Sequence, residues 1–143
     1  TLGLADNGSG MCYFIDPGKV DSHWHSPASI AHLERTFGLR GHWRHLRKTS
    51  QQVIAEGAVP GLIDMLFIDG DHSYAGVKFD FDRFGAQVRP GGVIILHDST
   101  NVGKGFTPWE VKQFLDAEVR GDRRYETFTL PFAAGLTLVR KCS

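Results

Sequence analysis

The chain has 143 residues, 41% hydrophobic and 22% charged, which suits a single domain able to bury a core of its own. Sixteen basic residues cancel sixteen acidic ones, so no electrostatic case arises for nucleic acid or an anionic membrane surface. No apolar run approaches a membrane span, no signal peptide is read, and two cysteines, Cys12 and Cys142, argue against a disulfide framework, so a reducing cytoplasm is the default expectation.

The opening TLGLADNGSG reads as the tail of a helix and its exit loop. Met11 to Ile15 is a short apolar run that reads as a strand, with Asp16-Pro17-Gly18 behind it. Residues 18–25 form a polar loop that carries Trp24 between His23 and His25, an HxH pair with no obvious third metal ligand. Ser26-Pro27 is a cap followed by a first-turn proline, Ile30, Leu33 and Phe37 supply a helical face, and Gly38 ends it. His42 to Leu46 is a weak strand, and Ser50 to Glu56 a short helix closed by Gly57.

The stretch from Ile63 to Asp98 organises the rest. Ile63 to Ile68 is a nearly unbroken apolar run, as in a strand covered on both faces, and it ends abruptly at Asp69-Gly70-Asp71-His72. Tyr74, Val77, Phe81, Phe84 and Val88 recur at helical spacing, and Arg89-Pro90-Gly91-Gly92 is expected to stop that helix. Val93 to Leu96 is a second buried strand, with His97-Asp98 at its carboxyl end. A helix joining two strands of one sheet makes them parallel, so both polar clusters emerge at the edge where open α/β sheets bind ligands. Further on, Thr107-Pro108-Trp109-Glu110 is a capping box before a helix bearing Val111, Phe114, Leu115 and Val119. Tyr125 to Leu130 and Leu136 to Val139 close the chain as an antiparallel hairpin. Alternation of this kind predicts a doubly wound α/β sheet with one antiparallel addition.

Asp69, His97 and Asp98 are the strongest chemical set. Two carboxylates and an imidazole converging from adjacent strand ends suit Mg²⁺, Mn²⁺ or a similar divalent ion. The plain alternative is that Asp69 caps the next helix and His97-Asp98 is solvated loop. Asp71 reads more simply as a helix-terminal anion, and His72 as a turn residue within reach of a ligand. Asp16, at the same sheet edge, is either a ribose-binding carboxylate or a turn aspartate. Gly103-Lys104-Gly105 lacks phosphate-loop spacing and reads as a lid.

LFIDGDHSYAGV followed by VRPGGVIILHD closely resembles the class I S-adenosylmethionine-dependent methyltransferases, and within them the group called methyltransferase family 24. The resemblance is strong from Ile63 to Asp98 and looser over nearly the whole chain. It implies a Rossmann-like sheet in which YFIDP is the second strand and the final hairpin the sixth and seventh. It implies that Asp16 binds the ribose hydroxyls of S-adenosylmethionine, that Ser50 lies near the adenine, and that Asp69 binds a metal and can help deprotonate the acceptor. His97 and Asp98 stand where related metal-dependent enzymes carry Asp-Asp or Asp-Asn; the histidine could be a ligand, a general base, or a sign that no metal binds. The family's first strand and glycine-rich loop should precede Thr1 and are not in this sequence, so an N-terminally incomplete domain is expected, one that could pair with a second copy to cover its open edges.

The expected reaction is methyl transfer to an oxygen of a small-molecule acceptor, with Asp69 or His97 taking the proton. A non-catalytic binding or assembly module and a metal-dependent hydrolase are the rival readings. A serine hydrolase is not, because no nucleophile elbow is present.

Overall fold

The structure, a computed structural model, describes residues 1–18, 26–59, 61–100, 110–132 and 134–142. The chain divides into two compact units, Thr1–Pro60 and Gly61–Ser143. Among the described residues no helix is long and apolar enough to cross a membrane.

The first unit contains α1 (Leu2–Asp6), β1 (Cys12–Ile15), α2 (Pro27–Phe37), β2 (Trp43–Leu46) and α3 (Ser50–Glu56). β1 and β2 pair in parallel, Cys12 opposite Trp43 and Ile15 opposite Leu46. α2 starts where Ser26 accepts the Ser29 amide and stops at Gly38 in the left-handed region, φ 62°. α3 opens on a capping box. The Thr49 hydroxyl accepts the Gln52 amide while the Gln52 side chain accepts the Thr49 amide.

The second unit holds β3 (Ile63–Ile68), α4 (Tyr74–Gly85), β4 (Val88–His97), α5 (Val111–Phe114) running into a π-helical turn (Leu115–Val119), β5 (Tyr125–Leu130) and β6 (Leu136–Lys141). Its four-stranded sheet has the order β3-β4-β6-β5. β3 and β4 are parallel, and the other two pairings are antiparallel. The last strand therefore lies inside the sheet and β5 forms its edge, not the reverse. Val77, Phe81 and Phe84 of α4 and Val111, Phe114, Leu115 and Val119 are buried, as are Ile94, Leu96 and Val139 of the sheet. Phe114 meets Phe81 and Tyr74 edge-on, ring centroids 5.2 and 5.9 Å apart.

The sequence predicts that Arg89-Pro90-Gly91-Gly92 stops the helix, and it does not. α4 ends at Gly85, and these four residues lie inside β4, where the pairing with β3 shifts between Ile63 and Met65. Gly91 sits at φ 77°, and a Cβ on Gly92 would come within 2.7 Å of Val88 Cγ1 and 2.9 Å of the Arg89 carbonyl. Val88, read as the last residue of the helical face, is buried as the first residue of the strand.

Candidate functional site

β3 and β4 end side by side. Ile68 pairs with Leu96, so Asp69, the first residue past β3, comes beside His97, the last residue of β4. His97 Nδ1 lies 3.1 Å from Asp69 Oδ1 and 3.2 Å from Asp98 Oδ1. From the turn after β3, His72 Nε2 comes to 3.0 Å from Asp98 Oδ2 and 3.4 Å from Asp69 Oδ1. Two imidazoles thus share two carboxylates. Asp69 is largely open to solvent, its side chain 43% exposed, whereas that of Asp98 is only 7% exposed.

The turn is built to deliver these groups. Asp71 Oδ1 accepts the Ser73 amide at 2.9 Å, and the Ser73 hydroxyl caps α4 by accepting the Gly76 amide at 3.1 Å. Asp71 thus serves the helix start. Gly76 lets it fold back, since a Cβ there would meet Asp71 Cγ at 2.5 Å. The amide of Glu110 donates to the His72 carbonyl at 2.9 Å, and the Glu110 carboxylate accepts the Tyr74 amide at 2.5 Å. The start of α5 is therefore tied to the turn that carries His72.

The three residues chosen for a metal, Asp69, His97 and Asp98, are brought together. Among the described residues, Asp69, His72 and Asp98 also form a group of donors whose ligand atoms all lie within 4.8 Å of one another. The structure adds His72, and the spacing Asp69-x-x-His72 across a helix-opening turn was the available signal. A cation held here would have to take the place of any proton shared between a ring nitrogen and a carboxylate. Two carboxylates and an imidazole fit a divalent ion with oxygen and nitrogen preferences.

Asp16 follows β1, and its Oδ1 accepts the Gly18 amide at 2.7 Å. Ser50 is the first helical residue of α3, immediately after the capping Thr49. The HxH pair, Trp24, Lys104 and the Thr107 capping box lie outside the described residues.

A protein family described as "Methyltransferase domain" matches residues 2–99, more than half of the chain. The chain belongs to this methyltransferase family. The match crosses the division between the two units at Pro60. An uncharacterized protein of Sinorhizobium fredii, y4gI, is 33% identical over 107 residues, which are 69% of this chain and 11% of that protein. Among solved structures, the O-methyltransferase TomG of Streptomyces achromogenes, involved in tomaymycin synthesis and in complex with SAM, superposes with a TM-score of 0.70. It is 15% identical, and the match covers 99% of this chain and 67% of TomG. An O-methyltransferase of Bacillus cereus in complex with SAH gives a TM-score of 0.68 at 18% identity, over 98% of this chain and 67% of that one. The fold of this methyltransferase chain is accordingly Rossmann-like α/β with antiparallel strands at its carboxyl end.

Proposed function

We propose that this chain transfers a methyl group from S-adenosylmethionine to an oxygen of a small-molecule acceptor, with a divalent cation held where β3 and β4 end. The observation that carries the reading is the convergence of Asp69, His72, His97 and Asp98 at adjoining parallel strand ends in a chain of a methyltransferase family. The family match across Pro60 supports treating residues 1–143 as parts of one methyltransferase domain. The cosubstrate is inferred from the bound SAM and SAH of TomG and the Bacillus cereus enzyme.

Asp16 is assigned to the ribose hydroxyls. It keeps one carboxylate oxygen beyond the one that takes the Gly18 amide. Ser50, at the opening of α3, is assigned to the adenine side. Asp69, Asp98 and either His97 or His72 would hold the cation, whose contribution would be to lower the pKa of the acceptor hydroxyl and orient it. As the new carbon–oxygen bond forms and the carbon–sulfur bond breaks, the hydroxyl proton passes to Asp69 Oδ or to a His97 ring nitrogen, and the sulfonium leaves as a neutral thioether. The remaining protein contribution is alignment of donor and acceptor, worth several kcal/mol in well-oriented reactions. Balanced charge supports a small-molecule acceptor over nucleic acid or membrane, and cysteine usage supports the cytoplasm. The exposed Met65 and Phe67 on edge strand β3 support pairing with a second copy.

The test is a calorimetric titration of S-adenosylhomocysteine into the full-length protein, with and without Mg²⁺. Binding that Mg²⁺ tightens supports the whole reading. Binding that Mg²⁺ leaves unchanged keeps the transfer reaction and removes the cation from it. No binding in either condition overturns the proposal and favours a non-catalytic module.

A further inference from the structure

The core of the second unit contains a line of hydroxyls that packing does not require. Ser99 and Thr137 are both 0% exposed. Thr137 lies on β6 between Leu96 of β4 and Thr129 of β5, where a valine would fill the same space. Arg120 Nη2 donates to Thr129 Oγ1 at 3.1 Å, the Thr129 and Thr137 hydroxyls are 2.9 Å apart, and Thr137 donates to Ser99 Oγ at 2.7 Å. Thr137 gives its single proton to Ser99 Oγ, so between the Thr129 and Thr137 hydroxyls it is Thr129 that donates. Buried polar groups are costly unless fully satisfied, and a satisfied line fixes its members in one arrangement.

What is fixed is the turn that carries Asp98. The Ser99 amide donates to the Gly135 carbonyl at 3.2 Å and the Thr100 amide to that of Ala134 at 3.0 Å. Among the described residues, Asp98 (φ 53°) and Ala134 (φ 67°) are the only non-glycine residues in the left-handed region, one in each of the two segments that these bonds join. Gly135 has no room for a Cβ, which would lie 2.6 Å from the Thr100 amide nitrogen. Strained backbone persists only where its surroundings over-determine it.

We propose that the Ser99–Thr137 hydroxyl pair is a positioning device that holds the Asp98 carboxylate between His72 and His97 in its cation-binding place. This rests on the cation part of the function proposed above. Ser99 and Thr137 touch no ligand; they act through Asp98.

The experiment uses the full-length protein and the double variant Ser99→Ala/Thr137→Val. Removing both partners leaves no orphan between them, and the half-buried Thr129 hydroxyl keeps its bond from Arg120 and can turn its proton to water, so stability is expected to stay near that of the parent. Mn²⁺ affinity, read by electron paramagnetic resonance, is expected to fall by about 10- to 100-fold, the usual cost of losing an outer-shell partner. S-adenosylhomocysteine affinity should not move, and Thr137→Ser, which keeps the hydroxyl, should retain Mn²⁺ binding. Unchanged Mn²⁺ affinity in the double variant overturns the proposal, as does a loss that tracks a matching fall in thermal stability. If the parent takes up no Mn²⁺, the cation reading fails instead. The crystal structure of the double variant then decides: a carboxylate still 3.0 Å from His72 Nε2 and 3.2 Å from His97 Nδ1 overturns the positioning role, and a displaced one supports it.

Discussion

Replacing Glu110 tests the link between α5 and the turn that presents His72. The carboxylate accepts the Tyr74 amide, one of the orphan donors in the first turn of α4, from 36 residues away. A hydrogen bond to a charged acceptor contributes about 1.5–3 kcal/mol, and an anion at a helix start adds about 0.3–1 kcal/mol. Freeing the glutamate side chain returns roughly 1–2 kcal/mol of rotamer entropy. Glu110→Ala is therefore expected to cost about 1–2 kcal/mol net, while the backbone bond from Glu110 to the His72 carbonyl remains. Glu110→Gln keeps an acceptor oxygen of the same reach and should cost about half as much. Urea unfolding followed by far-ultraviolet circular dichroism measures both, provided the slope is unchanged. An alanine variant within about 0.5 kcal/mol of the parent would refute the tie, because that is the range of an ordinary surface change. A glutamine variant as costly as alanine would show that a neutral acceptor does not serve the Tyr74 amide and that the charge carries the whole effect.

Other outcomes follow from neighbouring residues. Phe114→Ala, at a fully buried ring with two edge-on aromatic neighbours, is expected to lose about 3–5 kcal/mol by the same unfolding assay. Phe128→Ala, at a ring 64% exposed, should stay within about 0.5 kcal/mol, and similar losses at both sites would contradict the packing described. Asp16→Ala is expected to weaken S-adenosylhomocysteine at least about tenfold, since even one lost hydrogen bond to a carboxylate is worth that much; equal affinity removes Asp16 from the ribose site. The Tyr74 hydroxyl donates to Glu118 Oε1 at 2.7 Å, which holds Glu118 below the usual carboxylate range and Tyr74 above the usual tyrosine range. The Glu118 contribution to stability is present above its unfolded value, roughly pH 4, and is lost as pH falls through the lower folded value. The Tyr74 contribution is present below roughly pH 10 and is lost as pH rises through the higher folded value. Tyr74→Phe should flatten both limbs of a plot of thermal midpoint against pH, and unchanged limbs would show that the bond does not form.

The sequence made the locally determined parts of the fold legible. Ser26-Pro27 and Gly38 bracket α2 because capping and left-handed termination are decided within a few residues, and Ser50–Glu56 was bounded correctly by Gly57. The apolar run 63–68 gave β3, and its neighbour's carboxyl end gave the His97-Asp98 pair, but the expected cover on both faces is not found, because Met65 and Phe67 lie exposed. The proline-glycine-glycine run misled, since the same residues that end helices also permit a bulge. Their role depends on what the Asp64 carbonyl and Val88 allow, which is a pairing matter. The Thr49-x-x-Gln52 box that opens α3 was equally readable, since a capping box is set within four residues. Thr137 and the second duty of Glu110 could not be read at all. Each acts on a residue 36 or more positions away in sequence, and no local pattern records that.

The irregularity in β4 has a consequence at the far end of the strand. From Ile63 to Met65 β3 advances two residues, while β4 advances five, from Val88 to Val93. Had the first pairing simply continued, Asp69 would stand beside Ile94, an apolar residue of the core, with the His97-Asp98 pair about 10 Å further along at 3.3 Å per residue. The three looped-out residues act as a spacer that sets the phase between the strands. The chemistry at one end of the sheet is thus adjusted at the other, and Gly92, which touches no functional group, determines which side chain Asp69 has beside it.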